Sequence, residues 1–336
     1  MQKIIVSLKY LLKFVKVYII LLVIFLVSLI TVCLIPARIT KDNLGGTVTT
    51  FKNEGIYPSF GIPIRQILLD NYTDALMMNI ALSVDSSDPL RSALVNPRHS
   101  RIDNSADQIT YLEDIYLEKE TETSIYERYW HGYLIFLRPM ISVVPYWGVR
   151  IFNMLLLLTS AVYLLYLIQK KFGIKVSLAF LIGFIFIDFP YLGLSIQFSN
   201  IFLLGLFSAI YLLKRFNKIQ DLNIYFFIIG GLTAFFDLLT APLIPLGMAL
   251  IIVVNYGVRN VKQILSLCIL WTTGYLTIWY AKWLIVQTLY VPKAVKVAID
   301  QILNRTVTPA DANFSHLKAV SLNFFQLIGY NRINKF

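Results

Sequence analysis

Val17-Tyr-Ile-Ile-Leu-Leu-Val-Ile-Phe-Leu-Val-Ser-Leu-Ile-Thr-Val-Cys-Leu-Ile35 runs without a charged side chain between a segment carrying Lys3, Lys9, Lys13 and Lys16 and a stop at Pro36. As a helix rising ~1.5 Å per residue, a stretch of this length reaches across a hydrocarbon layer ~30 Å thick. A secretory leader is the competing reading. Its apolar region would be about 7–15 residues, closed by a small-residue cleavage site. This run is longer and ends in Cys33-Leu-Ile-Pro-Ala-Arg38, so a retained helix is expected. Comparable apolar runs recur at 149–168, 176–187, 199–213, 224–236, 243–256 and 264–284. An unpaired backbone is too costly in lipid for open sheet or loop. The sequence therefore predicts an all-α polytopic bundle of about seven spans.

Composition agrees. Of the 336 residues, 57% are hydrophobic and only 15% charged, with a mean hydropathy of +0.67, which leaves too few polar side chains to clothe a soluble surface. A soluble enzyme, a disordered scaffold and a secreted disulfide domain are excluded. Cys33 and Cys268 both lie in apolar runs, where a thiol is a small hydrophobe. The net charge of +11 would suit nucleic acid on a soluble face, but here it is distributed by loop, so no nucleic-acid partner is expected. Beside the four lysines of the amino terminus stand Lys170, Lys171 and Lys175, then Lys214, Arg215 and Lys218, then Arg259 and Lys262. The alternate turns around 189–198 and 238–242 carry no Lys or Arg. This asymmetry predicts a cell-membrane protein with its amino terminus in the cytoplasm.

Four regions follow: 1–36, the cytoplasmic amino terminus and first span; 37–147, a long extracytoplasmic loop; 148–289, about six further helices; and 290–336, an extracytoplasmic tail whose last element is either interfacial or the start of something longer. The loop holds 14 of the 19 acidic residues, and its length marks it as a functional element. Within it a helix is expected over 60–82 and another over 111–129, with a polar loop at 85–107 between them. The apolar stretch 133–146, broken by Pro139 and Pro145, suits a helix lying in the interface. In the tail, the apolar stretch 319–328 is too short to span.

Ionisable groups near a membrane are functional candidates because each is costly there unless paired. Asp188 and Asp237 close apolar runs at the outer face, where Arg150 and Lys282 join them, so two carboxylates and two cations are expected at one mouth. The alternative is that the aspartates cap turns and Lys282 snorkels. Asp70 and Asp74, spaced i and i+4, fall on one helical face, and two carboxylates so placed raise at least one pKa, which can make a general base. The alternative for Asp70 is a helix cap. Arg128, Trp130, His131 and Arg138 form a basic aromatic stretch suited to stacking on a sugar or holding a phosphate, and equally to interfacial anchoring. His99, His131 and His316 are isolated, and no metal site is expected. A divalent cation held by carboxylates is compatible with the sequence but not required by it. The triplets at Asn71, Asn304 and Asn313 match the glycosylation pattern, which is frequent by chance.

This architecture, together with the strings Tyr72-Thr-Asp-Ala-Leu-Met-Met-Asn79, Arg128-Tyr-Trp-His-Gly-Tyr133 and Phe236-Asp-Leu-Leu-Thr-Ala-Pro242, resembles the GT-C superfamily of membrane glycosyltransferases and multi-pass proteins of Gram-positive bacteria. GT-C enzymes usually carry an acidic residue soon after the first span. Here the nearest is Asp42, and Asp74 lies well downstream. The resemblance implies a polyprenyl-phosphate sugar donor at the outer surface and a cell-envelope glycan or protein acceptor. Lys282, Arg128 or Arg138 would stand near the phosphate, with Asp188 and Asp237 shaping the acceptor pocket. Asp74 would be the base for an inverting transfer. A transporter or flippase for a lipid-linked or polar substrate is the competing class, and a non-catalytic membrane scaffold is a third.

Overall fold

The computed structural model describes residues 2–62, 65–101, 107–219 and 221–306. The chain opens with α1 (Gln2–Cys33), then α2 (Ala37–Lys41), α3 (Leu44–Glu54), β1 (Ser59–Ile62), β2 (Arg65–Leu68), α4 (Asn71–Leu82) and α5 (Pro89–Val95). Next come β3 (Pro97–Ser100), α6 (Gln108–Tyr116), β4 (Glu122–Ile125), α7 (Leu134–Ile141) and α8 (Tyr146–Phe172). The remainder is α9 (Ile174–Phe186), α10 (Phe189–Leu192), α11 (Ile196–Arg215), α12 (Leu222–Phe236), α13 (Leu243–Asn255), α14 (Val261–Leu289) and α15 (Ala294–Thr306). Helix makes up 74% of the structure and strand 4%. The apolar stretch at 319–328, the Asn313 triplet and His316 lie outside the described residues.

Among the described residues, four helices are long and apolar enough to cross a membrane: Tyr10–Cys33, Tyr146–Phe172, Ile196–Lys218 and Val261–Leu289. Much of their apolar surface faces outward, with Ile20, Ile24 and Val27 of α1 and Ile269 and Leu276 of α14 exposed. That is the surface expected of helices whose solvent is hydrocarbon. Three shorter apolar helices, α9, α12 and α13, lie among them.

The tightest helix pair is α12 with α14. A Cβ added at Gly230 would overlap the Trp271 carbonyl, and one added at Gly274 would overlap the carbonyl of Phe227. Facing glycines bring the two backbones together, the device by which helices associate where lipid supplies no hydrophobic drive. The α1 helix packs against this pair through Phe25, whose ring stacks on Phe235 with centroids 4.0 Å apart.

The segment between α1 and α8 departs from expectation in several places. The helix expected over 60–82 exists only from Asn71. Gly61 and Pro63 resist helix, and β1 pairs antiparallel with β2 there, Ser59 opposite Leu68. The helix expected over 111–129 stops at Tyr116, after which the alternating Thr121, Thr123 and Ile125 favour strand, and β4 pairs with β3. The expected loop at 85–107 contains α5, started by Asp88, which accepts from the Arg91 amide at 3.1 Å, and by Pro89 in the first turn. The apolar stretch 133–146 is helical over α7 and then breaks before α8 begins at Tyr146. Two small two-stranded antiparallel sheets thus join an otherwise helical chain.

Candidate functional site

Ionisable side chains concentrate where α3, α4, α8 and α11 meet. Asp70 is the N-cap of α4: its Oδ1 accepts from the Thr73 amide at 2.9 Å and its Oδ2 from the Thr73 hydroxyl at 2.6 Å. It is half-buried, and the Gln197 side-chain amide donates to the same Oδ2 at 3.4 Å. Asp74, one turn further along α4, is fully enclosed. Its carboxylate accepts from the Tyr146 hydroxyl at 2.5 Å, the Ile196 amide at 2.8 Å, the Gln197 amide at 3.1 Å and the Ser195 hydroxyl at 3.2 Å. Ile196 and Gln197 open α11, so Asp74 caps that helix from another part of the chain, charge against the positive end of the dipole. Burial pushes the Asp74 carboxyl above the ordinary carboxylate range, while the donors at Tyr146, Ile196 and Gln197 pull it back.

Beside this pair, one nitrogen of Arg150 lies 2.7 Å from both Glu54 oxygens, and its second terminal nitrogen donates to Asn71 Oδ1 at 2.7 Å. Asn71 in turn donates to Glu54 and to the Gly55 carbonyl. The guanidinium stands over the Tyr146 ring, 4.3 Å from its centroid, and its Nε is buried without a partner. Glu54 is the last residue of α3, the end of a helix where negative charge is disfavoured. A buried cation answers that. Glu54, Tyr146 and Gln197 were not among the residues singled out from sequence, and Asn71 was noted only as a glycosylation triplet. The signal for Glu54 was an acid standing at a helix end just before Gly55.

An apolar cavity of about 320 Å³ opens below this cluster, lined by α7, α8 and α11 and by Phe236. Its polar lining is Asn153 and Asn200. Asn153 lies one helical turn from Arg150, and Asn200 one turn from Gln197. Asn153 donates to Ser199 at 3.0 Å and Asn200 to the Ile196 carbonyl at 2.8 Å.

The other expected site residues fall elsewhere, and most are satisfied by backbone. Arg138 does not face a phosphate site: it is buried and donates to Val32 O at 2.9 Å, and also to the carbonyls of Ile35 and Ala81, tying the end of α1 to the end of α4. Lys282 does not sit at an open mouth. It is fully buried, donates to Ala93 O at 3.0 Å and to Asn96 Oδ1 at 2.9 Å, and so supplies a cation to the C-terminal end of α5. Trp130 is buried as well, its indole donating to Ile278 O at 2.8 Å. His131, at φ 56°, donates through Nε2 to Tyr126 O at 3.0 Å and accepts at Nδ1 from the Tyr133 hydroxyl at 3.2 Å, a tautomer assigned from those partners. Burial drives its pKa down to about 3, so the ring stays neutral.

Arg128 is half-exposed. It donates to Gln301 of α15 and leans on the Tyr126 ring, while its carbonyl accepts both the Trp279 and Trp283 indoles. Asp237 forms the C-cap of α12 and accepts from the Thr240 and Ala241 amides. Its Oδ2 is buried with no partner, and burial raises its pKa to about 6. Asp188 turns the chain from α9 into α10 at φ 52°. Of the two cations expected at an open mouth beside Asp188 and Asp237, both are enclosed, Arg150 held by Glu54 and Asn71 and Lys282 by the end of α5. The pair Asp70 and Asp74 does meet at one place, with Asp70 as cap. Among the described residues, no three His, Cys, Asp or Glu side chains come together as a metal-ligand group. No family model, curated protein or solved structure matches the chain.

Proposed function

We propose that the chain is a membrane glycosyltransferase which takes a sugar from a polyprenyl-phosphate donor at the extracytoplasmic face and passes it, with inversion, to a cell-envelope acceptor. In this reading α9, α12 and α13 complete a seven-span bundle with a cytoplasmic amino terminus, and residues 37–147 form the extracytoplasmic domain that carries the site. The observation that supports it is the placement of the apolar cavity between α7, α8 and α11 one turn below a cluster of carboxylates and a buried arginine. An isoprenoid chain suits such a lining, and its phosphate would lie toward the polar end at Asn153 and Asn200, one helical turn from the enclosed Arg150. Asp70 is the base in this scheme. It is half-buried, so an acceptor hydroxyl can approach it, whereas the Asp74 carboxylate is enclosed by four donors. Asp74 then positions the start of α11, and with it Gln197, the partner of Asp70.

The test uses membranes expressing the wild-type chain or Asp70→Asn, with transfer of radiolabel from a panel of polyprenyl-phosphate sugars as the readout. Asparagine is as good an N-cap as aspartate, so the variant keeps the Thr73 amide bond that starts α4 while removing the charge and the Oδ2 acceptor. Transfer by the wild type that drops at least a hundredfold in Asp70→Asn, at an unchanged melting temperature, is the expected result. Wild-type transfer by the variant overturns Asp70 as base. Donor left intact by every preparation overturns the enzyme reading in favour of transport or scaffolding.

A further inference from the structure

The α9 helix is almost unburied: of its thirteen residues only Ser177 is enclosed by the rest of the chain. It packs mainly on α8, whereas α13 packs mainly on α11. The gap between α9 and α13 is a groove of about 570 Å³, floored in part by Phe202 of α11. One wall is the stripe Lys175, Ala179, Gly183 and Ile187, spaced four residues apart, with Val176, Phe180 and Phe184 beside it. The opposite wall is Ile244, Met248, Ile251 and Asn255 of α13. Small residues at 179 and 183 keep the middle open, and a Cβ added at Gly183 meets nothing within 4 Å.

The polar residues of this lining sit at one end. Lys175 is in the first turn of α9 and Asn255 is the last residue of α13, and between them and Ile187 and Ile244 every lining residue is apolar or glycine. Lys171 stands near the same level, over the ring of Tyr256 at 5.2 Å. From Lys175 to Ile187 the groove runs roughly 18 Å at ~1.5 Å per residue, about the depth of one leaflet of a ~30 Å core. An apolar slot one leaflet deep, with a cation and an amide at its headgroup end, matches a lipid with an anionic head. A second copy of the chain meeting this face through the same helix would bring its own Lys175 to the same level, like charge against like charge.

We propose that the groove between α9 and α13 holds one acyl chain of an anionic glycerophospholipid, with its phosphate paired to Lys175 and hydrogen-bonded by Asn255. The site is separate from the carboxylate cluster and stands whether or not the chain transfers sugars. Native mass spectrometry of the detergent-purified chain, titrated with phosphatidylglycerol or phosphatidylcholine of identical acyl chains, tests it. The wild type is expected to bind phosphatidylglycerol about fivefold more tightly, the factor a single lysine near an anionic surface supplies. Lys175→Gln removes that preference and leaves phosphatidylcholine binding unchanged, while Gly183→Trp, which fills the slot, weakens both. Lys175 is exposed, so its replacement leaves the packing intact, and equal melting temperatures verify this. Equal binding of the two lipids by the wild type, full preference retained in Lys175→Gln, or a dimer that Gly183→Trp abolishes would each overturn the proposal.

Discussion

The Asp74 carboxylate accepts the Ile196 amide at 2.8 Å, across 122 residues of sequence. A carboxylate from α4 thereby serves as the cap that α11 lacks locally, since its own N-cap Ser195 makes no capping bond with its side chain. The Ser195 hydroxyl instead joins the set around Asp74.

Asp74→Ala is expected to lower stability by about 3–5 kcal/mol, because it strands a buried Tyr146 hydroxyl and two helix-start amides that have no water to turn to. Thermal unfolding in detergent measures this. A loss below about 1 kcal/mol would mean that α11 is held by packing alone.

Glu54 and Arg150 are expected to be energetically coupled. Glu54 remains partly accessible, so the pair is worth less than a fully buried one, and removing either partner is expected to lower stability by roughly 1–3 kcal/mol. Glu54→Gln combined with Arg150→Met should lose less than the sum of the two, by at least ~0.5 kcal/mol. Strict additivity in a double-mutant cycle would argue against the pairing.

Two groups with opposite signs shape the pH dependence. Asp237 has a folded pKa of about 6 against an ordinary 3.8. The stability it adds is therefore present in acid and lost as pH rises through about 6, a swing of ~3 kcal/mol at most. Asp237→Asn should raise the melting temperature at pH 7 and leave it unchanged at pH 4. His131, held neutral with a pKa of about 3, contributes in the other direction. Its stability is full above the ordinary 6.5 and drains as pH falls, and His131→Asn, which also tolerates the positive φ, should flatten the acid side. Melting curves from pH 4 to 8 separate the two.

Gly274→Val is expected to part α12 from α14, since its side chain has nowhere to go but into the Phe227 carbonyl. Loss of monodisperse protein on size exclusion is the expected outcome. Gly247→Ala, in open space, serves as the control that changes nothing.

The apolar runs were legible because hydrocarbon imposes one rule on every residue it touches, and α1, α8, α11 and α14 appear where those runs lie. Asp70 as an N-cap was also open to reading, from an aspartate three residues before Thr73. The strands at 59–62, 65–68 and 122–125 were not, because their apolar spacing fits a short helix as well as a strand, and pairing with a partner strand decides between them. The site was legible only in half. Asp70 and Asp74 announced themselves, yet that Arg150 would turn to Glu54, and Lys282 and Arg138 to main-chain carbonyls, depends on contacts far apart in sequence. No periodicity reports those.

The anchoring of the 37–147 segment has a consequence for biogenesis. Its fixed points include Trp130 on Ile278 and Lys282 on Asn96, partners 148 and 186 residues apart. A ribosome delivers the chain from the amino end, so this segment is made and displaced from the tunnel well before α14 exists. Until α14 is in place, α5 lacks its terminal cation and Trp130 its acceptor. The segment must therefore wait, incompletely folded, while residues 148–289 are synthesised, and α14 acts as the latch that closes it.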